Sequence, residues 1–159
     1  TDTDLGHVAF PFRAAREIAI GYARVLCTRI TYVGELGYEL FVRTEQAVHV
    51  YDRIVAAGAV FGLRHVGLQA LGSLRQEKAY RDYGHDIDNT DDPISAGFGW
   101  AMAMDKGEFR GRAAVASLRA AGTPHRRLLQ VLVRDPEPLM FHAEVVRRDG
   151  VDVGYLRSA

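Results

Sequence analysis

The sequence predicts an α+β fold in which antiparallel sheets pack against helices, followed by a second, β-rich domain. Two strand patterns, Glu17–Ile20 and Arg24–Tyr32, flank a three-residue connection that contains glycine, as is typical of a hairpin. Between residues 44 and 80 the apolar residues recur at helical spacing instead of in a strand pattern. The C-terminal part again shows strand patterns, without helices between them.

The first half is predicted to contain one more strand and two helices. After a glycine-containing loop, Tyr38–Arg43 forms a third strand. Thr44 is expected to be the N-cap of the first helix, because its hydroxyl can accept from a free N–H group there, and Gly58 is expected at C′. A second helix is predicted over Leu68–Tyr80, and Gly72 inside it weakens it.

The second half begins with a polar loop, Tyr83–Pro93, whose many turn-forming residues exclude regular structure. An apolar stretch, Phe98–Met104, is predicted to be a strand. The next element is a short helix, Arg112–Ala121, which ends at Gly122. A further strand is predicted over Arg127–Val133.

The domain boundary is predicted at Thr123-Pro124, which divides the chain into residues 1–122 and 123–159. Beyond it, Ala143–Arg147 and Val151–Arg157 form a hairpin around an Asp-Gly pair. Because an isolated hairpin is only marginally stable in water, these strands are expected to have further partners. We therefore expect the second domain to be incomplete and the chain to be a fragment.

Composition and charge exclude several classes of protein. The formal net charge is zero, so nothing predicts a nucleic-acid or anionic-membrane partner. The single cysteine, Cys27, excludes an internal disulfide, and the six histidines lack the spacing of a metal site. No apolar run approaches the ~18 residues of a membrane span, and no signal peptide is visible. We therefore expect a soluble, cytoplasmic protein with no membrane or nucleic-acid partner.

A carboxylate lies in the middle of the third strand. Successive side chains of a strand point to opposite faces, so Tyr38, Leu40 and Val42 share one apolar face, and Glu39 and Phe41 share the other. A carboxylate beside an aromatic ring suits a flat heterocycle with an amidine-like edge, such as a pterin or guanine. An exposed glutamate paired with an arginine is the commoner explanation of such a pattern. The pattern leaves both alternatives open.

Weaker candidates surround this strand. Gly34 and Gly37 bracket Glu35, which fits a close approach to a ligand and also fits a bulge. Arg75 could orient a substrate, although helical salt bridges are the commoner use of such a residue. His85 is a possible acid or base, but a lone loop histidine is usually solvated.

Five segments carry a family pattern, in order and with matching spacing: "AFPFRAAREIAI", "RITYVGELGYELFV", "SLRQEKAYRDYGHDI", "DPISAGFGWAMAMDKGEFRGRAAV" and "RDGVDVGYLRSA". Together they resemble the folate-binding aminomethyltransferase family, which includes the glycine-cleavage T-protein and the C-terminal half of dimethylglycine and sarcosine dehydrogenases. The loop "YVGELGYEL" looks more like the dehydrogenase branch. The resemblance implies the aminomethyltransferase folate-binding fold, followed by the start of a C-terminal β-barrel domain.

The resemblance also implies a cofactor and a reaction. Family members bind tetrahydrofolate in a central cavity and transfer a one-carbon unit to it, which gives 5,10-methylenetetrahydrofolate. In the dehydrogenase branch an N-terminal FAD domain of the same polypeptide, absent from this chain, first oxidises a methylated amine. The alternatives are a glycine-cleavage T-protein, which needs no flavin, and a non-catalytic folate-binding module.

The resemblance assigns the site residues by motif. Tyr32 and the run Glu39-Leu40-Phe41 lie where the family contacts folate, and Glu39 is expected to accept from the pterin 2-amino and N3–H edge. Second-rank candidates for the cavity wall are Glu35, Arg75 and Tyr83. The family's catalytic aspartate lies upstream of the matched segments, so we expect no catalytic residue in this chain and no activity of the chain alone.

Overall fold

The computed structural model describes all residues, 1–159, as two compact units, Thr1–Tyr80 and Arg81–Ala159. The first unit contains a three-stranded antiparallel sheet and two α-helices, and the second contains one α-helix and a two-stranded antiparallel hairpin. The predicted combination of antiparallel sheets with helices is therefore confirmed. The domain boundary after Gly122 and the start of a β-barrel domain stay predictions.

The sheet of the first unit has the order β1-β2-β3, with β1 at Ala15–Ile20, β2 at Ala23–Thr28 and β3 at Glu39–Phe41. The predicted hairpin between β1 and β2 is confirmed, but its connection has two residues rather than three, since Ile20 pairs with Ala23. Gly21 has a φ of +59°, which favours glycine, and a methyl group there would collide with the His49 ring.

One face of this sheet carries the core of the first unit. Ile18, Val25 and Cys27 alternate onto this face and are buried with Phe10 and Val50. Three partly buried residues pack against them, as the strand pattern predicts: Tyr38, Leu40 and Val42.

The segment before β1 is attached to the end of β2 by Arg29, which is 7% exposed. Its Nη1 donates to the carbonyl oxygen of Phe10 at 2.7 Å, and its Nη2 lies 2.6 Å from Nδ1 of His7. A guanidinium can only donate, so His7 Nδ1 is the acceptor and its neutral ring carries the proton on Nε2. Two backbone bonds add to this attachment: Arg13 N–H donates to the Arg29 carbonyl oxygen, and Arg29 N–H donates to the Ala14 carbonyl oxygen.

The helices of the first unit are α1 at Ala47–Gly58 and α2 at Leu68–Glu77, and α2 forms despite Gly72. The predicted cap at Thr44 is wrong, because the chain first makes a 3₁₀ turn, Thr44–Gln46, and no side chain caps either element. Gly58 is still helical, and the left-handed residue is Gly62, with a φ of +70°, after a second 3₁₀ turn.

The second unit contains α3 at Arg112–Ala120 and a hairpin of β4, Val145–Arg148, and β5, Val151–Tyr155. Helix α3 ends before Gly122, whose φ is +84°, so the predicted glycine stop is confirmed. The hairpin is confirmed too. The two residues of its turn, Asp149 and Gly150, both have positive φ values, as type I′ turns require.

Two predicted strands of the second unit are wrong. Phe98–Met104 contains a 3₁₀ turn at Gly99–Ala101, and the backbone bonds there close local turns, with Ala101 N–H donating to the Phe98 carbonyl at 2.9 Å. Residues 127–133 form no strand, and Leu129, Val131 and Leu132 are exposed. Both stretches have apolar side chains but no neighbouring strand to pair with, so the composition alone does not make a sheet.

None of the helices combines the length and the apolar character that crossing a lipid bilayer requires.

Candidate functional site

The candidate site begins on the open face of the β1-β2-β3 sheet, opposite the core. Leu40 points to the core, so Glu39 and Phe41 point to the open face, as predicted. Register places Thr28 opposite Glu39 and Leu26 opposite Phe41. Leu26 is 42% exposed and Phe41 57% exposed, so the carboxylate lies beside an accessible apolar surface.

Glu39 is exposed and forms no ion pair with any residue of the chain. Glu17, on the same face of the sheet, differs, because its carboxylate lies 3.5 Å from the Arg24 guanidinium. The arginine-paired alternative for Glu39 is therefore absent from the structure. The carboxylate keeps its acceptor positions available for donors from outside the chain.

The loop between β2 and β3 folds back on itself. Val33 N–H donates to Oγ1 of Thr31 at 3.2 Å, and Gly37 lies so close to Thr31 that a Cβ there would be 2.9 Å from the Thr31 Cβ. These contacts bring the two ends of the loop close together. The loop therefore connects Tyr32, near its start, to Glu39, at the beginning of β3.

The close approach predicted at Gly34 is made by a side chain of the protein itself. Gly34 has a φ of +72°, and a Cβ there would lie 2.5 Å from Cγ of Lys78. The Lys78 ammonium then reaches Glu35, with 3.3 Å between Nζ and Oε1. Both groups are largely exposed, so this ion pair contributes little to stability.

Tyr32 and Arg75 both contact Tyr80, just beyond the C-terminal end of α2. The Tyr32 ring is stacked on Tyr80, with 6.1 Å between centroids and 27° between planes. Arg75 is buried, and its Nη1 donates to the Tyr80 carbonyl oxygen at 2.9 Å, while Tyr80 N–H donates to the Arg75 carbonyl oxygen at 3.0 Å. Arg75 therefore holds the tyrosine against which Tyr32 packs.

The structure brings three of the predicted residues together at the end of α2, namely Tyr32, Glu35 and Arg75. Glu39 and Phe41 share the open face, whereas Leu40 lies on the core side, so a ligand on the open face could contact Leu40 only through its backbone. The ligand contacts assigned to these residues stay predictions.

Tyr83 belongs to the second unit, where it forms an isolated bridge with Ile87 and is 69% exposed. His85 is exposed, as expected of a loop histidine, and its Nδ1 lies 3.2 Å from a carboxylate oxygen of Asp82. The assignment of Tyr83 to the cavity wall also stays a prediction.

Sequence reasoning missed Lys78 and Tyr80, which contact two of the predicted site residues. It also missed Thr28, whose Oγ1 is buried opposite Glu39 without a hydrogen-bond partner. Strand alternation alone could have found Thr28. No sequence signal links Lys78 or Tyr80 to the loop, because those contacts depend on how the loop and α2 pack.

Burial or hydrogen bonding shifts the pKa of Cys27, Asp88 and Asp92. Burial raises the pKa of the Cys27 thiol, so the thiol stays protonated and unreactive. Hydrogen bonds from Thr90 lower the pKa of Asp88, and hydrogen bonds from Ser95 lower that of Asp92. No cluster of three or more histidine, cysteine or acidic side chains in the chain could hold a metal ion.

Similarity to known proteins identifies the family of the chain. The family model of the GCVT N-terminal domain matches residues 1–106. The 4-methylaminobutanoate oxidase (formaldehyde-forming) of Paenarthrobacter nicotinovorans is 45% identical over 89% of this chain and 17% of its own length. Human mitochondrial sarcosine dehydrogenase is 38% identical over 99% of the chain and 17% of its own length.

A third relative is the aminomethyltransferase of Halothermothrix orenii, which is 36% identical over 86% of this chain and 38% of its own length. The chain thus spans about a sixth of the length of the oxidase and dehydrogenase relatives. These relatives confirm the resemblance drawn from the five sequence segments. Because the family model covers well over half of its residues, the chain belongs to the GCVT N-terminal domain family.

Proposed function

We propose that this chain is the tetrahydrofolate-binding part of an aminomethyltransferase-type domain and serves the transfer of a one-carbon unit to tetrahydrofolate. The observation that carries the proposal is the unpaired Glu39 carboxylate beside exposed Phe41 and Leu26 on the open sheet face. Membership of the family and the similarity to the aminomethyltransferase of Halothermothrix orenii support it.

The residues of the chain fit a pterin in charge and shape. Glu39 would accept from the 2-amino and N3–H donors of the ring edge, which a carboxylate can do with its two oxygens. Phe41 would provide a stacking or edge contact, and Tyr32, held against Tyr80, would provide another. Tetrahydrofolate itself would supply the two nitrogens that accept the one-carbon unit as 5,10-methylenetetrahydrofolate.

The remaining assigned residues have supporting roles in this proposal. Glu35, paired with Lys78, places a carboxylate of the Val33–Gly37 loop beside the ligand, and Arg75 fixes the end of α2 behind Tyr80. The assignment of Tyr83 as a folate contact rests on the family resemblance alone. No residue of this chain acts as the general base.

We propose further that the chain belongs to an amine-demethylating flavoprotein, because an oxidase and a dehydrogenase are among its relatives. Oxidation of the methylated amine is then the task of a separate FAD domain in the same polypeptide. In this proposal residues 1–122 belong to the folate-binding domain, and residues 123–159 begin a C-terminal β-barrel domain.

The second candidate is a glycine-cleavage T-protein without flavin, which the 36% identity to an aminomethyltransferase favours. The reading frame upstream distinguishes the two candidates. A dinucleotide-binding domain for FAD encoded there supports the flavoprotein, and its absence supports the T-protein.

The folate site is tested by calorimetric titration with tetrahydrofolate under anaerobic conditions, on the full-length protein and on this chain. Loss of charge-assisted hydrogen bonds in Glu39→Ala should weaken binding by about 1.5–3 kcal/mol, or about 10- to 150-fold in Kd. Glu17→Ala is the matched control, since it removes a carboxylate from the same sheet face.

Three results would count against the site. If Glu39→Ala binds tetrahydrofolate as tightly as the wild type, Glu39 is not part of the site. If Glu17→Ala loses as much affinity as Glu39→Ala, the loss reflects surface charge in general and not a specific contact. Failure of the wild-type full-length protein to bind tetrahydrofolate refutes the proposal as a whole.

A further inference from the structure

The loop of residues 82–93, here named the acidic loop, builds its turns from its own carboxylates. Asp86 Oδ2 accepts from the backbone N–H of Asp82 at 2.9 Å, and Asp91 Oδ2 accepts from that of Asp88 at 2.9 Å. These are the local side-chain bonds that fix turns. They leave a second oxygen on each carboxylate for other donors.

Arg157 binds two carboxylates of the acidic loop. Its Nη2 donates to both oxygens of Asp91, at 3.2 and 3.3 Å, and its Nη1 lies 3.9 Å from Asp88. The side chains of Arg157 and Asp91 are only 20% and 25% exposed, so water screens this pair less than an ordinary surface pair. The guanidinium also lies over the Tyr155 ring, at 5.4 Å from its centroid.

The next residue contacts the same loop at a third carboxylate. Ser158 Oγ donates to Oδ1 of Asp86, whose side chain is buried. An ionised carboxylate can only accept, so the hydroxyl is the donor. Asp86 is thereby bonded to the loop through one oxygen and to Ser158 through the other.

Backbone bonds attach this C-terminal segment to the β4–β5 hairpin. Leu156 N–H donates to the Glu144 carbonyl oxygen at 2.9 Å, and Ala143 N–H donates to the Leu156 carbonyl oxygen at 2.8 Å. The Arg157 carbonyl oxygen accepts from Nδ1 of His142 at 2.6 Å, because a carbonyl cannot donate. The positions of Arg157 and Ser158 are therefore set by the hairpin.

We propose that Arg157 and Ser158 are positioning residues that hold the acidic loop in its conformation and make that conformation depend on the β4–β5 hairpin. The loop carries five aspartates, and Arg157 is the cation that neutralises the pair at Asp88 and Asp91.

The test is hydrogen exchange of the full chain, comparing Arg157→Gln with the wild type. Amides of residues 82–93 should exchange about tenfold faster or more, the factor expected for losing a charge-assisted hydrogen bond. Asp91→Asn removes the same pair from the loop side and should reproduce the effect. Arg157→Lys keeps the charge but not the two-pronged geometry, so its exchange should be intermediate.

The matched control is Arg148→Gln, which removes an arginine from the same hairpin. Arg148 pairs only loosely with its neighbour Asp149, at 3.9 Å, and both are exposed. Loop exchange in this variant should equal that of the wild type. Amides of α3 serve as the internal control, because loss of the contact should leave them unchanged.

Two exchange results overturn the positioning role. One is unchanged loop exchange in both Arg157→Gln and Asp91→Asn. The other is acceleration in α3 by the same factor as in the loop, since that marks unfolding of the unit and not release of the loop.

Discussion

Arg29 offers the sharpest test of what holds the first unit together. It is an arginine without a carboxylate partner, buried between a backbone carbonyl and a histidine. Arg29→Met replaces the guanidinium with an apolar side chain of similar length. The Phe10 carbonyl oxygen, in a fully buried residue, then loses its donor, and His7 loses the cation that it accepts from.

The expected cost follows from these two bonds. A hydrogen bond to a charged group contributes about 1.5–3 kcal/mol, and a buried acceptor left unpaired costs about 1–3 kcal/mol. Removing a buried cation also removes its desolvation penalty, which offsets part of the loss. We therefore expect Arg29→Met to lower the free energy of unfolding by about 2–4 kcal/mol.

Urea denaturation followed by circular dichroism measures this change. Arg24→Met is the matched control, because Arg24 lies in β2, the strand that Arg29 directly follows, and its side chain is 76% exposed. Its effect should stay within about 0.5 kcal/mol, as for most surface substitutions. If the two variants are equally stable, the bonds of Arg29 do not hold the N-terminal segment and the reasoning is refuted.

Three further predictions concern two glycines and the cysteine. Gly72→Ala should stabilise α2 by up to about 1 kcal/mol, since a Cβ there meets no atom within 4 Å. Gly34→Ala should destabilise the chain, because its φ is +72° and Lys78 occupies the space, and urea denaturation giving the opposite order would contradict both expectations. Because burial raises the pKa of Cys27, the stability it contributes is complete below the ordinary thiol pKa and is lost as pH rises through the folded value. The urea midpoint should therefore fall more steeply above pH ~8.5 in the wild type than in Cys27→Ala, and parallel curves would refute this.

Turns and helix ends were predicted correctly where they depend only on the residues at that position. The Asp149-Gly150 turn and the glycine after α3 were correctly predicted, because each needs only a backbone conformation that its residues favour. The strands predicted at Phe98–Met104 and Arg127–Val133 were wrong because a strand depends on more than its own residues. A strand needs a neighbour to pair with, and the sequence of the stretch itself does not tell whether one is present.

The same distinction between local patterns and long-range contacts applies to the candidate site. Alternation along β3 correctly separated Glu39 and Phe41 from Leu40, because the period of a strand is a local property. The contacts of Lys78 with Glu35 and of Tyr80 with Tyr32 could not be predicted. They arise where the end of a helix meets a distant loop, and this depends on packing across some forty residues of chain.

Because β3 is short, the length of the loop before it determines which mutations keep the strand in register. With only three residues paired to β2, a shift of the strand by one position would turn Glu39 inward and Leu40 outward. The close approach of Gly37 to Thr31 restrains the loop before β3 and so opposes that slip. Gain or loss of a single codon in this loop would thus invert the polarity of the strand, whereas substitutions that keep its length leave the polarity intact.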